Sequence, residues 1–371
     1  MSKVKFGDII KDVKINVDRD NNPYEFYVAG DHMDSEDLNI RRRGRFATDD
    51  VGPAFTRIFK KGQVLYGSRR TYLKKVAVAD FDGICANTTF VFESKNPAAF
   101  EQKLLPFLML SEGFTNWSIA HSKGSTNPYV LFSDLASYEF DLPSLTEQKV
   151  LAEKLWAAYE VKQSYLKMIA ATEEMIEASY KKMIETSDRE NCLGDYIVRM
   201  SAQKCGNREL PVLSITKDKG IVFQSERFES VVVSVDKSGY IIAPKGCLVQ
   251  GIHIDECNFG IQKIVEEGIV SPAYKLWSFK GDDFIPELIE YYLRSPMAIK
   301  YFQMKFLGAT VRRRQVISKD DFLSMPLNLP SFDGQKTYYD FFVKANKSIS
   351  ELRKSVDAID KVINSLINEN L

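Results

Sequence analysis

The side chains most able to do chemistry in this 371-residue chain are cations. Eleven basic residues stand between positions 41 and 75: Arg41, Arg42, Arg43, Arg45, Arg57, Lys60, Lys61, Arg69, Arg70, Lys74 and Lys75. Within that run only Asp49 and Asp50 oppose them. A second cluster, Arg312-Arg313-Arg314, is followed by Gln315 and Lys319. A guanidinium forks onto phosphate or onto guanine O6 and N7, an ammonium tracks phosphate, and a glutamine amide pairs with adenine. That chemistry selects Arg41, Arg42, Arg43, Arg45, Arg69, Arg70, Tyr72, Lys74 and Lys75 as candidate nucleic-acid contacts in the first half. In the second half it selects Thr310, Arg312, Arg313, Arg314 and Gln315, with Lys245 and His253 as further candidates. Lys123, Ser125 and Thr126 flank Gly124 in a polar turn whose amides suit a phosphate, or which is a plain turn. Any one charge run also reads as a solvated face. Two runs in corresponding places argue for a shared partner.

Catalysis has thinner support. Asp82 with Glu93-Ser94-Lys95 has the Asp…Glu-x-Lys spacing of a metal-dependent nuclease, in which carboxylates hold Mg²⁺. Such triples arise by chance in a charged chain, and Asn96-Pro97 follows at once, so Lys95 ends a strand. Thr126-Asn127-Pro128-Tyr129 is close to the Asn-Pro-Pro-Tyr of amino-methyltransferases but lacks one proline, and no Gly-x-Gly loop lies upstream. There is no phosphate-binding Gly-x-x-x-x-Gly-Lys-Ser/Thr loop. The cysteines, Cys85, Cys192, Cys205, Cys247 and Cys257, form no Cys-x-x-Cys pair. The histidines, His32, His121 and His253, lie far apart. Neither a disulfide frame, a metal centre nor any other cofactor is expected.

Lys plus Arg and Asp plus Glu both number 50, so net charge says nothing for nucleic acid; local patches decide. The 44% hydrophobic and 27% charged composition is that of a globular protein. No apolar run approaches the ~20 residues of a membrane helix, and the first residues lack a signal-peptide core. A cytoplasmic protein with no membrane contact is the expectation, in two to three domains.

Two long helices must position these residues. From Gln148 to Glu185 there is no Gly or Pro. Leu155, Lys162, Ile169, Ile176 and Met183 recur every seven residues, as do Leu151, Ala158, Tyr165, Thr172 and Ser179. Ser144 and Thr146, just after Pro143 and before Glu147, mark the start. Near the C-terminus Phe342, Ile349, Val356 and Ile363 alternate with Ala345, Leu352, Ile359 and Leu366, a sustained heptad. A helix of about 38 residues is roughly 57 Å long. Such helices pack on their own domain's core or pair with each other as a spacer. The pairing is preferred, along Leu151, Leu155, Tyr165, Ile169, Ile176 and Met183 against Ile349, Leu352, Val356, Ile359, Ile363 and Leu366.

The chain is also an internal repeat. Gly7-Asp8 matches Gly194-Asp195 at offset 187, and Lys61-Gly62 matches Lys245-Gly246 at 184. Gly83-Ile84 matches Gly268-Ile269 at 185, and Gly124 with Thr126 matches Gly308 with Thr310 at 184. Leu142-Pro143-Ser144 and Gln148-Lys149 match Leu329-Pro330-Ser331 and Gln335-Lys336 at 187. The matches stay collinear, which chance would not maintain. Strand-like runs are 63–66, 75–79, 88–93, 230–235, 247–250 and 273–279, and shorter helical stretches are 97–111 and 284–305. The expected fold class is α+β: two mixed recognition lobes in an internal repeat, joined by two long antiparallel coiled-coil helices. The expected boundaries are lobe 1–145, spacer helix 146–190, lobe 191–332 and spacer helix 333–371. Two reading units at a fixed separation suit a split DNA target.

These features together resemble the specificity subunit of type I restriction-modification systems. The resemblance rests on the duplication and on the Leu142-Pro143-Ser144-Leu145-Thr146-Glu147-Gln148 helix entry. It rests also on Lys61-Gly62-Gln63-Val64-Leu65-Tyr66-Gly67-Ser68-Arg69-Arg70, Gly124-Ser125-Thr126-Asn127 and Asp134-Leu135 in the first lobe. In the second lobe Pro211-Val212-Leu213-Ser214-Ile215-Thr216, Gly239-Tyr240, Gly246, Gly260 and 268–274 are similar to another recognition-domain subtype. Gln63 and Cys247 replace the family's usual acidic residue after glycine; Val249-Gln250-Gly251 stands where Tyr-Asn-Pro is usual, and Phe332-Asp333-Gly334-Gln335 is an altered helix entry. The resemblance implies a non-catalytic subunit with two target-recognition domains, each reading half of a bipartite double-stranded DNA site. It implies paired helices serving as ruler and as dock for two modification (methyltransferase) subunits, with ATP-hydrolysing restriction subunits joining them. A self-contained Mg²⁺-dependent nuclease and a coiled-coil scaffold that binds only proteins are the alternatives.

Overall fold

A computed structural model describes residues 2–19, 21–217, 219–226, 237–306 and 317–371. It contains two compact units, Met1–Ile169 with Glu351–Leu371, and Ala170–Ser350.

The first unit is built on a four-stranded sheet of β1 (Ile10–Asp12), β2 (Val64–Gly67), β3 (Val76–Val78) and β4 (Thr89–Ser94), ordered β1-β4-β2-β3 and antiparallel throughout. Phe6, Tyr66, Phe92 and Phe114 meet on one face, with Phe6–Phe92 centroids 5.5 Å apart and Phe6–Phe114 centroids 5.0 Å apart. A second sheet, Gly44–Arg45, Phe26–Val28, Gly83–Ala86 and Phe55–Phe59, has one parallel pairing, Phe26–Val28 with Gly83–Ala86. Gly83 has to be glycine, since an added Cβ would lie 2.7 Å from the Phe59 ring and 2.9 Å from the Phe26 carbonyl oxygen.

The second unit repeats the first sheet with β5 (Ile197–Arg199), β6 (Leu248–Gln250), β7 (Phe259–Ile261) and β8 (Lys275–Phe279), in the order β5-β8-β6-β7. The registers correspond as well: Asp12 faces Phe92 and Val64 faces Phe92 in one unit, and Arg199 faces Trp277 and Leu248 faces Trp277 in the other. Phe259, Trp277, Phe302 and Phe322 fill the core here. Two hairpin-like pairs complete it, Leu213–Thr216 with Gly220–Phe223 and Ile241–Pro244 with Glu267–Val270.

The long helices are α1 (Leu145–Glu185) and α2 (Phe332–Asn370). α1 starts at a capping box: the Ser144 amide and hydroxyl donate to the Glu147 carboxylate at 2.8 and 2.7 Å, and the Glu147 amide returns a bond to Ser144 Oγ at 3.4 Å. In the first unit Leu151, Leu155 and Tyr159 share a cluster with Ile363 and Ile367, and Lys162 Nζ lies 2.6 Å from Asp360. In the second unit the Tyr180 and Tyr338 rings meet at 5.5 Å, and the Tyr338 hydroxyl donates to the Ile176 carbonyl at 3.2 Å. The heptad positions Ile169, Ile176, Ile349, Val356 and Ile363 are all buried.

Some expectations shift. The stretch 97–111 begins as turns and a short 3-10 segment, Gln102–Leu104, before the helix Leu105–Leu110. The stretch 284–305 is two helices, Pro286–Leu293 and Pro296–Phe306, because proline lacks the N–H that would continue the ladder and disfavours helical geometry at Ser295. The run 230–235 lies outside the described residues.

Candidate nucleic-acid interface

β2 ends at Gly67, and the chain turns sharply. Ser68 anchors the turn: its amide and hydroxyl donate to the Thr88 carbonyl at 3.1 and 2.6 Å, and its own carbonyl accepts from the Val130 amide at 3.0 Å. Arg70 and Lys74 bracket a 3-10 segment, Thr71–Leu73, with left-handed φ of +51° and +47°. Non-glycine residues rarely take that conformation, so the surrounding bonds impose it. The Arg70 amide donates to the Pro128 carbonyl at 2.7 Å. The Lys123 and Tyr129 backbones exchange bonds at 2.7 and 2.9 Å, closing the loop that holds Ser125 and Thr126, with Gly124 at φ +87°. Thr71 Oγ1 and Ser122 Oγ lie 3.2 Å apart, tying the two segments again.

This construction gathers Arg69, Arg70 and Tyr72 with Lys123, Ser125 and Thr126. The side chains of all six are exposed. Arg69 lies over the Tyr129 ring at 5.7 Å, and no carboxylate pairs with Arg69 or Arg70 among the described residues. Tyr129 is a member of this surface that sequence reasoning passed over, because it sat inside the methyltransferase-like motif. An aromatic ring within reach of an arginine was its only signal.

The other candidate cations of the first lobe, and Lys123, have partners within the protein, although Arg41, Arg42, Arg43 and Arg45 remain exposed. Arg41 pairs with Asp37 at 2.7 Å and bonds Gln163 on α1. Arg42 pairs with Asp34 and donates to the Asp31 carbonyl at 2.8 Å. Arg43 stacks over Phe26 at 4.1 Å and Phe81 at 5.0 Å. Arg45 pairs with Glu25. Lys74 pairs with Glu36 at 2.6 Å, Lys75 donates to the Gly30 carbonyl, and Lys123 reaches Asp134 at 3.0 Å. The apparent excess of cations between Arg41 and Lys75 is thus neutralised mostly by carboxylates that lie outside that run.

Asp37 shows what this network is for. Burial alone would raise its carboxyl, but bonds from Arg41, the Tyr159 hydroxyl at 2.5 Å and the Asn39 amide at 2.9 Å hold it below the usual range. Tyr159 Oη also accepts from the Leu38 amide at 2.8 Å, so this arginine fastens the loop to α1.

In the second lobe the turn after β6 matches the turn after β2. His253 stands where Arg69 stands, and both turns contain a short 3-10 segment capped by a left-handed residue, Lys74 at +47° and Cys257 at +63°. His253 is exposed, and Lys245 pairs with Glu266 at 2.6 Å. Thr310, Arg312, Arg313, Arg314 and Gln315 lie outside the described residues.

The nuclease-like triple is engaged elsewhere. The Asp82 carboxylate accepts from the Lys61 amide at 2.8 Å and Lys60 Nζ at 2.9 Å, in that order the causes that hold it below the usual range. Glu93 accepts from Gln63 at 2.6 Å, and Lys95 donates to the Gly7 carbonyl. Among the described residues no group of three or more His, Cys, Asp or Glu is arranged for a metal, and no helix is long and apolar enough to cross a membrane.

Residues 4–165 match the family model described as type I restriction modification DNA specificity domain. The type I restriction enzyme EcoDI specificity subunit of Escherichia coli is 28% identical over 133 residues. That match covers 36% of this chain and 29% of the relative, so it spans less than a third of that protein's length. Two solved structures share the fold. One, from work on complex assembly and conformational transition of the type I R-M system, is 18% identical with TM-score 0.54, covering 100% of this chain and 98% of that one. The other, the type I restriction-modification system S subunit from M. genitalium, is 13% identical with TM-score 0.58, covering 100% and 96%.

Proposed function

We propose that this chain is the sequence-specific DNA-recognition subunit of a type I restriction-modification complex and carries no catalysis of its own. The observation that carries the reading is a pair of exposed arginines, Arg69 and Arg70, with no ion pair among the described residues, held on a bond-locked turn of a DNA specificity domain. Two sheets of the same order and register support a bipartite target, one half-site to each lobe. Within the first unit Leu151 and Leu155 cluster with Ile363 and Ile367, while Lys162, later on α1, pairs with Asp360, earlier on α2, which supports antiparallel pairing and a ruler role.

The same helix supports a docking role. Val161, Met168 and Met175 recur every seven residues on α1 and are exposed, with small exposed residues Ala157, Ser164, Ala171 and Ala178 between them. That is a second heptad seam, suited to helices of two modification subunits. Restriction subunits would join that assembly, which would work in the cytoplasm.

The test is duplex-DNA binding by the full chain as salt is varied. Arg69→Glu with Arg70→Glu is expected to weaken binding and to flatten the salt dependence by about 0.9 for each phosphate no longer neutralised. Unchanged binding and slope would remove these residues from the interface, and no salt-sensitive binding by the unaltered chain would favour a protein-only scaffold.

A further inference from the structure

The lobes differ in chemistry at one matched place on their shared sheet. In the first lobe Asp12 faces Phe92 and Phe90 faces Tyr66. In the second, the same positions hold Arg199 facing Trp277 and Lys275 facing Gln250. Directly opposed residues share a face, as do residues two apart on one strand, so all four side chains project from one side of the sheet. Asp12 in the first lobe is neutralised by Arg57 at 2.9 Å. The second lobe has two cations and no such acid.

Neither cation has a counter-ion among the described residues. Arg199 lies over the Trp277 ring at 5.2 Å, and Trp277 Nε1 donates to Gln250 Oε1 at 2.9 Å. That bond fixes the Gln250 amide; the residue is 3% exposed, and no described residue accepts from its nitrogen. Burial pulls the Arg199 guanidinium below its usual range, and burial followed by the Arg199 charge does the same to Lys275. Two half-buried like charges held close together are costly unless an anion sits among them.

We infer that Arg199, Lys275 and Gln250 form an anion seat that takes a phosphodiester group of duplex DNA bound to the second lobe. The inference rests on the DNA-recognition reading above. Every free polar group in the seat is a donor: a guanidinium, an ammonium and an amide NH₂, the one acceptor being occupied by Trp277. A donor-only site matches the acceptor-only oxygens of a phosphodiester and cannot read the mixed pattern of a base edge. The seat therefore positions DNA without specifying sequence. Its partners come from three strands, so it is rigid before DNA arrives.

The experiment uses the full chain, with duplex-DNA anisotropy between 50 and 200 mM salt and thermal unfolding alongside. Lys275→Met is expected to weaken binding on the order of tenfold, as for one charge-assisted bond. It should reduce the salt slope by about 0.9 and affect random and target duplexes alike. Its melting temperature should hold or rise, because a desolvated charge is gone, and Lys275→Arg should retain binding. Arg199→Met should repeat the loss of affinity. Wild-type binding and slope in both methionine variants would overturn the seat while leaving the function reading intact. No DNA binding by the unaltered chain would overturn both. Binding of inorganic phosphate that is lost in Lys275→Met while DNA binding is not would mark a small-anion site and overturn the assignment to DNA. Lost DNA binding with a lowered melting temperature would mark a structural role instead.

Discussion

Gln148 and Gln335, 187 positions apart in the sequence, make the same three hydrogen bonds. Gln148 donates to the Pro143 and Ala99 carbonyls at 2.9 and 3.1 Å and accepts from the Glu101 amide at 2.9 Å. Gln335 donates to the Pro330 and Asp283 carbonyls at 2.9 and 3.2 Å and accepts from the Ile285 amide at 2.9 Å. Both side chains are almost wholly buried. Each bonds the Leu-Pro entry of a long helix to the loop that precedes the lobe's shorter helices.

Replacing Gln148 with alanine leaves two carbonyls and an amide without partners in a dry site, at a cost of about 2–3 kcal/mol. The loss should be confined to the first unit. Denaturant unfolding followed by the Trp117 and Trp156 signals should shift, and the Trp277 signal should not. Gln335→Ala should give the mirror result, and equal shifts of all three signals would contradict separate roles.

Asp12 and Arg57 form a buried pair in the first lobe, with Asp12 Oδ2 left without a hydrogen bond. Burial raises the Asp12 carboxyl above its usual range even with Arg57 beside it. A carboxyl raised on folding favours the folded state below its unfolded value and loses that contribution as pH climbs through the folded value. Arg57→Met should raise it further and cost about 3–5 kcal/mol near neutral pH, the penalty shrinking as pH is lowered. The double change Asp12→Leu with Arg57→Met should lie within about 1–2 kcal/mol of the native chain. Urea midpoints at pH 4.5 and 7.5 check both statements.

Asp37 behaves in the opposite way. Its carboxyl is held down by Arg41 and Tyr159 against the effect of burial, so its stabilisation is present above pH ~4 and lost as pH falls through the depressed value. Tyr159→Phe removes the acceptor of the Leu38 amide and a donor to Asp37, and should cost about 1–3 kcal/mol at neutral pH. The penalty should be smaller in acid, as read by thermal unfolding across that range. DNA affinity should stay near the native value, because Arg41 serves the fold.

The exposed seam of α1 carries the docking claim. Val161→Glu with Met175→Glu should leave the chain's own unfolding within about 0.5 kcal/mol, as for surface changes. It should abolish co-purification with modification subunits. Normal co-purification would move the dock elsewhere.

The repeat and both long helices were legible because periodicity survives in sequence: Ile349, Val356 and Ile363 are buried at the spacing the heptad requires. The entry to α1 was legible for the same local reason, since Ser144 and Glu147 sit three residues apart. The counter-charges of the basic run, Asp12, Glu25, Asp34, Glu36, Asp37 and Asp82, arrive from outside it through folding, so they were not legible in it. Of the candidates in that run, Arg69, Arg70 and Tyr72 on the turn after β2, and Arg43 stacked on Phe26, are exposed with no ion pair among the described residues. Arg199, Lys275 and Gln250 escaped notice because they lie on three strands. Aligning Asp12 with Arg199 at the repeat's own offset was the signal that would have exposed the change of charge.

One chain is expected to read two separated half-sites. The direct measurement is to co-express the full chain with modification subunits and map methylation on a random DNA library. A split motif with a fixed gap is expected, in which Arg69→Glu with Arg70→Glu degrades one half and spares the other. A single uninterrupted motif, equal loss in both halves, or no methylation from a well-folded complex would contradict it.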